Sequence, residues 1–361
     1  MSDPRSTRRR PISGLGKFAL LAGAVVFAGL AVEGAVRLRH YVKHGSFTPI
    51  YDFVVDEASG LRIPRPGTHG RIVCDSQGFR SPELASPKPR DTVRIAFLGA
   101  STTFCAEASD NDATWPALVV DGIRRQQPDH SFDWINAAAA GFTVDQSARN
   151  LAARVAPHRP DVIVIYHATN DLTQDTRALA AAADLWHDDD RPSWLERHSM
   201  AWEVLTKNLA LFGHNGAAAA EATARIDFDA PSLACSFGSR LESLVRASQA
   251  AADVVVLVTF SHRVRPEQDA DARREACQSA SYYMPFLGPD SILAGIAAYN
   301  DAIRAVAART GVVLIGDEHA IPADDEHFND SVHLRDAGCR KQAERILAVL
   351  GRAGVLDPAW H

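Results

Sequence analysis

The sequence contains the three residue types that acyl transfer by a serine nucleophile requires, and they occur at two distant places in the chain. Ser101 follows a short apolar run, Val93 to Leu98, in the segment Gly99-Ala100-Ser101. Asp330 and His333 are three residues apart, directly before a segment with helical spacing. A serine hydroxyl is a weak nucleophile at its free pKa, so it needs a base, and the base needs an orienting group. The Asp330–His333 spacing lets the carboxylate meet one imidazole nitrogen while the other faces the serine.

The same chemistry needs donors for the oxyanion that forms on attack, and the sequence offers three. They are the backbone N–H of Ser101, the backbone N–H of Gly141 and the side-chain amide of Asn170. Each element also has a plainer interpretation. Ser101 and the pair Asn170-Asp171 are suited to capping helices, and Asp330 to His333 is suited to an Asx-type loop before a helix.

The elements that must position these residues alternate between strand and helix patterns. Short apolar runs predict buried strands of a parallel sheet with right-handed crossovers. The predicted strands are 93–98, 132–136, 161–166, 253–259 and 312–315. Ser101, Gly141 and Asn170 each follow one of the first three strands, so they are expected at the carboxyl edge of the sheet, where open α/β sheets bind ligands.

The blocks Gly99-Ala100-Ser101, Gly141, Thr169-Asn170-Asp171 and Asp330-x-x-His333 resemble, in order and placement, those of the SGNH (GDSL-type) hydrolases. The resemblance covers roughly residues 94–350. It implies a flavodoxin-like parallel sheet with helices on both faces. It also implies a Ser101 nucleophile, a His333 base with Asp330 as its partner, oxyanion donors at Ser101, Gly141 and Asn170, and no metal or organic cofactor.

One position departs from the family pattern. The usual aspartate before the nucleophile is Ala100 in this chain, which puts the hydrogen bonding of that turn in question more than the nucleophile itself. Variants with a small residue there resemble membrane-anchored bacterial members associated with cell-surface polysaccharides.

Two further histidines stand at predicted strand ends. His167 is interpreted as a wall of the crevice or part of the oxyanion loop, and direct substrate binding is the alternative. His262, followed by Arg263 and Arg265, is interpreted as surface loop, with contact to a polar or anionic substrate as the alternative.

The N-terminus has the pattern of a membrane segment. A basic tail, 1–17, precedes an apolar segment, 18–36, that is interrupted by Glu33. Because the stronger basic cluster precedes the segment, the positive-inside rule predicts that the rest of the chain lies outside the cytoplasm, on the periplasmic or cell-surface side. A cleaved signal peptide is the alternative to an uncleaved transmembrane anchor.

The remaining segments are assigned by composition. Residues 37–90, rich in proline and glycine, are predicted to be a linker or an extended preface. The turn Asp75 to Gly78, followed by Phe79, is interpreted as pinning this preface to the domain, with a plain surface loop as the alternative. The hydrolase-like domain is predicted to span 91–355. Residues 172–252 exceed one crossover and are predicted to be a helical cap or lid. Its Trp186, Trp194 and Trp202 are interpreted as its core, or alternatively as a substrate platform.

Composition narrows the function classes. The formal net charge is −6 and no basic stripe typical of nucleic-acid binding is present, so nucleic acid is not expected as a partner. The five cysteines form no C-x-x-C pair, so zinc is not expected. We therefore predict a membrane-anchored serine esterase, with an O-acyl ester of a carbohydrate as the favoured substrate and lipid or thioester substrates as alternatives. The alternatives are an O-acyltransferase that uses the same triad on cell-surface glycan, and a catalytically silent glycan-binding or assembly component.

Overall fold

The computed structural model describes residues 14–186, 195, 198–217, 226 and 228–351. The basic residues before Gly14, Trp194 and residues 352–355 of the predicted domain lie outside this part of the chain. The first described element is a long helix, α1 (Gly14–His44). Its stretch Lys17–His44 is long and apolar enough to cross a membrane, and its most apolar part is not buried in protein. Signal sequences share these properties.

Residues 45–90 form two small antiparallel hairpins that pack on the domain. The first pairs β1 (Phe53–Val55) with β2 (Arg62–Pro64), and the second pairs β3 (Gly67–His69) with β4 (Ile72–Cys74). Phe79 is 1% exposed and belongs to the main hydrophobic core. The segment is therefore a packed preface rather than a free linker.

The centre of the domain is a five-stranded parallel sheet. Along the chain its strands are β5 (Thr92–Gly99), β6 (Ser131–Asn136), β7 (Val162–Tyr166), β8 (Val254–Val258) and β9 (Val313–Ile315). The order across the sheet is β6-β5-β7-β8-β9, and every neighbouring pair is parallel. This is the doubly wound, flavodoxin-like order, so the predicted fold class and the five strand positions are confirmed.

Helices cover the sheet. Along the chain they are α2 (Ser101–Phe104), α3 (Trp115–Gln126), α4 (Val144–Asn150), α5 (Thr169–Ala182), α6 (Met200–Ala217), α7 (Ala230–Gln249), α8 (Ala270–Ala276), α9 (Gln278–Tyr283), α10 (Pro289–Thr310) and α11 (Asp336–Leu350). Helix α3 packs against α11, and α7 packs against α10.

The stretch 172–252 is not a uniform insertion. Phe237, Leu241 and Leu244 of α7 are almost fully buried in the main core, so α7 is an ordinary crossover helix between β7 and β8. Helix α5 begins directly after β7 and also contributes the buried Leu172. The extra material therefore lies between α5 and α7, where α6 is the element described by the structure.

Candidate active site

The candidate nucleophile sits on a tight strand-to-helix turn. Strand β5 ends at Gly99, and Ser101 is the first residue of α2. A side chain at Gly99 would collide with Thr103, one turn into α2, so glycine is needed for the helix to pack this close to the strand end. The turn places the Ser101 side chain at the carboxyl edge of the sheet, where it lines the cleft.

Ala100 stabilises this turn by apolar packing in place of a side-chain hydrogen bond. It is 5% exposed and clusters with Leu61, Ile63 and Phe142, so the first preface hairpin packs directly on the nucleophile turn. The backbone carbonyl of Ala100 accepts the N–H of Phe104 at 2.9 Å. At the position where the family pattern has an aspartate, the methyl group of Ala100 therefore packs against the preface.

Arg80, which sequence reasoning did not assign, holds the other end of α2. Its buried guanidinium donates to the carbonyl oxygens of Phe104 (2.8 Å), Cys105 (2.7 Å) and Asp110 (3.1 Å). These contacts satisfy carbonyls at and beyond the helix terminus, where intrahelical partners run out. The only sequence signal was its position directly after the predicted anchor Phe79.

His333 and Asp330 come to Ser101 on the loop between β9 and α11. His333 Nε2 lies 2.8 Å from Ser101 Oγ, and His333 Nδ1 lies 2.8 Å from Asp330 Oδ2. Asp330 Oδ1 accepts the backbone N–H groups of Val332 and His333, both at 2.9 Å. The Asx-type loop and the imidazole contact therefore coexist, because the two carboxylate oxygens serve different donors.

The charges of this pair are mutually stabilised. Burial opposes ionisation of Asp330, but attraction to His333 and the hydrogen bonds from His333 and Val332 outweigh it and hold the Asp330 pKa well below its usual range. Burial likewise opposes protonation of His333, and the neighbouring Asp330 carboxylate reverses that effect, so the His333 pKa is raised. An ionised Asp330 accepts the Nδ1 hydrogen, which leaves Nε2 free to accept the Ser101 proton.

The two other predicted donor positions face the same space. Gly141, which follows β6, has φ of +86°, a conformation that favours glycine. Asn170 lies in the first turn of α5, and its Nδ2 donates to the carbonyl of Phe142 at 3.0 Å. Ser101, Gly141, Asn170 and His333 all line one cleft.

Asp171 ties the two donor segments together. Its carboxylate accepts the N–H of Val144, the first residue of α4, at 3.1 Å. Burial raises the Asp171 pKa to about 7, and Arg240, 3.9 Å away, opposes that rise. Sequence reasoning gave Asp171 only a possible capping role. In the structure the helix it caps is α4, which follows the Gly141 loop, rather than its own helix.

His167 and His262 do not line the cleft. His167 is 3% exposed and its Nε2 pairs with Ser147 Oγ at 2.8 Å, while burial lowers its pKa to about 3. His262 is equally buried, and its Nδ1 accepts the N–H of Val264 at 3.0 Å. His167 therefore supports the crevice from behind, and His262 is not the surface-loop residue that the sequence suggested.

The cleft has a volume of about 810 Å³, which is ample for a ligand much larger than an acyl group. Aromatic side chains from the preface and the helices stand beside hydroxyl and amide groups. The lining residues beyond the four named above include Tyr51, Phe53, Thr173, Gln174, Arg177, Trp186, Ser279, Tyr283 and Ser331. The Arg177 guanidinium lies over the Trp186 ring, 4.7 Å from its centroid.

If Asn170 acts as the predicted oxyanion donor, replacing it by Ala is expected to lower kcat for a p-nitrophenyl ester by about 10²–10³. It also removes the hydrogen bond to Phe142 that steadies the Gly141 loop. Thr173→Ala, on the same helix and in the same cleft, is the matched control and should retain near-normal kcat. Equal turnover by the two folded variants would show that Asn170 does not contact the transition state.

The chain is similar to a known protein family and to several solved structures. The sequence model of the GDSL-like Lipase/Acylhydrolase family matches residues 97–341. No curated protein sequence matches the chain. Similar solved structures include an alpha/beta hydrolase enzyme from the metagenome of Lake Arreo, Spain, with 16% identity and a TM-score of 0.44, which covers 74% of this chain and 97% of that one. They also include Axe2, an acetylxylan esterase from Geobacillus stearothermophilus, with 17% identity and a TM-score of 0.43, covering 72% of this chain and 94% of that one.

The family match spans about two thirds of the chain, from the middle of β5 into α11. It includes every strand of the parallel sheet except the start of β5. All four predicted blocks, including Gly99-Ala100-Ser101, fall inside the match. The chain is an ester-hydrolysing enzyme and belongs to the GDSL-like lipase/acylhydrolase, or SGNH, family.

Proposed function

We propose that the protein is a serine esterase in which Ser101, His333 and Asp330 form the catalytic triad. The observation that carries the proposal is the continuous hydrogen-bonded series from Asp330 through His333 to Ser101, which ends in an open cleft. An attacking serine, a neutral base and a buried anion that orients the base are the parts this reaction needs.

The reaction follows from these positions. Ser101 Oγ attacks the ester carbonyl while its proton passes to His333 Nε2, and Asp330 stabilises the imidazolium. The backbone N–H groups of Ser101 and Gly141 and the Asn170 amide are placed to donate to the oxyanion. His333 then returns the proton to the departing alcohol. A water molecule, deprotonated by His333, hydrolyses the acyl-enzyme, releases the acid and restores Ser101.

A carbohydrate O-acyl ester is the substrate that we favour. The cleft is much larger than a short acyl group needs, and it combines exposed aromatic surface with side chains that hydrogen-bond. A sugar presents apolar C–H faces and hydroxyl groups together, so it matches a cleft whose lining includes Trp186, Thr173 and Gln174. The Trp186 ring is held edge-on by Phe286, with ring centroids 6.0 Å apart.

Replacing Trp186 by Ala is expected to lower kcat/KM for an acetylated oligosaccharide by about 2- to 12-fold, the loss expected from one aromatic contact of 0.5–1.5 kcal/mol. Turnover of p-nitrophenyl acetate should change by less than about twofold, since that ester carries no sugar to contact the ring. Trp202→Ala, a tryptophan outside the cleft, is the matched control. Equal losses on both substrates would assign Trp186 to the shape of the site instead of sugar binding.

We further propose that α1 anchors the enzyme in a membrane with its domain on the extracytoplasmic side. The basic residues before the apolar segment support this orientation. A reporter that is active only after export, fused after His361, should be active in cells. A fusion active only in the cytoplasm would contradict the orientation.

A further inference from the structure

Helix α6 presents an apolar stripe that no described element covers. Trp202, Leu205 and Leu209 are 37%, 48% and 60% exposed. Their spacing of three and four residues places them on one side of the helix. Tryptophan and leucine on one face are typical of helices that lie in a membrane interface.

The first turn of α6 is held by α1, the candidate membrane helix. Glu33 of α1 accepts the N–H groups of Met200 (3.1 Å) and Ala201 (2.9 Å) and the hydroxyl of Ser199 (2.8 Å). Arg37, one turn further along α1, pairs with the same carboxylate at 2.6 Å. Glu33 therefore satisfies the N–H donors that begin α6 and fixes the helix start beside α1.

The depth of this junction follows from helix geometry. From Lys17, the last residue before the apolar segment, to Glu33 there are 16 residue steps, or about 24 Å at 1.5 Å per residue. The hydrocarbon core of a bilayer is about 30 Å thick. With Lys17 at one face, Glu33 and the first turn of α6 lie at or just inside the opposite interface. A carboxylate at that depth has to be paired, and Glu33 is.

Helix α6 also leads to the cleft. Lys207 lies over the Tyr282 ring of α9, with Nζ 5.7 Å from its centroid, so this side of α6 faces the domain. Helix α9 contributes Ser279, Ala280 and Tyr283 to the cleft wall. Helix α6 thus connects the junction at Glu33 with one wall of the active site.

We propose that α6 lies on the lipid bilayer, with Trp202, Leu205 and Leu209 in its interface, and that this contact holds the cleft next to the membrane surface. The occupant of the stripe is lipid, because α6 starts at the depth where α1 leaves the bilayer and the three exposed side chains of the stripe are apolar. The inference rests on the anchor proposed for α1, and it implies that the ester substrate is presented close to the membrane.

The test is nitroxide accessibility in the full chain, reconstituted in nanodiscs of phosphatidylethanolamine and phosphatidylglycerol. Cys235 is the exposed cysteine, and the other four are buried. In a Cys235→Ser background a nitroxide is attached at Leu205→Cys or Leu209→Cys. Val26→Cys in α1 is the lipid reference, and Ser243→Cys, exposed on α7, is the water reference. Collision rates are measured with oxygen, which enters lipid, and with a water-soluble nickel complex.

The expected result is an oxygen-to-nickel ratio at 205 and 209 several-fold above that at 243 and approaching that at 26. A ratio equal to that at 243, with 26 in lipid, would overturn the inference and leave the anchor intact. A water-like ratio at 26 would overturn the anchor and the inference together. Spin–spin broadening at 205 that disappears on dilution with unlabelled chain would assign the stripe to a second copy and overturn lipid contact. None of these readouts depends on esterase activity.

Discussion

Ser101→Ala is expected to reduce turnover of p-nitrophenyl acetate by about 10⁶, because alanine leaves no nucleophile to carry the acyl group. His333→Ala should cost about as much, since the Ser101 hydroxyl loses the base that lies 2.8 Å from it. The double variant should be little worse than either single variant, because the two residues act as one unit. Steady-state kinetics with each variant measures these losses, and covalent labelling by a fluorophosphonate should disappear in all three.

The matched control is Ser279→Ala, which removes a serine from the same cleft without touching the triad. The Ser279 hydroxyl accepts the N–H of Ser331 at 3.1 Å, so a modest effect is expected. Circular dichroism should show that every variant is folded. Normal turnover by well-folded Ser101→Ala would remove the proposed mechanism, whereas no turnover and no labelling of the folded native chain would favour a silent glycan-binding protein.

The parallel sheet could be predicted because its strands carry their own signal. Runs such as Asp161 to Tyr166 are apolar on both faces, as a strand covered on both sides must be. Periodicity was less informative for α7, whose apolar spacing suits a cap helix as well as a crossover helix. Only its packing against α10 and the sheet separates the two, and packing is a long-range property.

The preface was harder to interpret for a similar reason. Proline and glycine mark turns, and they say nothing about what a segment packs against. Burial of the Arg80 guanidinium depends on carbonyl groups that lie some 25 to 30 residues later in the chain. A sequence window around Arg80 holds none of those acceptors, so its role at the end of α2 became visible only in the fold.

Sequence spacing alone does not identify which Asp-x-x-His pair belongs to the candidate site. Two of the chain's three Asp-x-x-His pairs lie close together before α11, Asp324 with His327 and Asp330 with His333, and both form a contact to imidazole Nδ1, at 2.7 and 2.8 Å. Only the second pair reaches a serine hydroxyl. The order of the four motif blocks selects the correct pair, whereas the Asp-to-His distance along the chain does not.

Asp330→Asn is expected to lower kcat by about 10⁴, the loss known for a triad whose base is held in the wrong tautomer. The asparagine carbonyl can still accept the N–H groups of Val332 and His333, so the loop should persist. The side-chain NH₂ of the asparagine then donates to His333 Nδ1. The imidazole hydrogen therefore lies on Nε2, which faces Ser101. The base can no longer accept the serine proton.

The pH profile separates this electrostatic role from a merely structural one. His333 acts as a base only when neutral, so kcat/KM should rise with pH through the His333 pKa, which Asp330 raises. Removing the negative charge makes the imidazolium less stable, so the pKa falls and the acid limb of the residual activity should move to lower pH. Asp324→Asn makes the same change in the neighbouring pair and should alter neither kcat nor the limb. An unshifted limb in folded Asp330→Asn would show that Asp330 does not set the charge of His333, and its contact at 2.8 Å would then serve only to orient the ring.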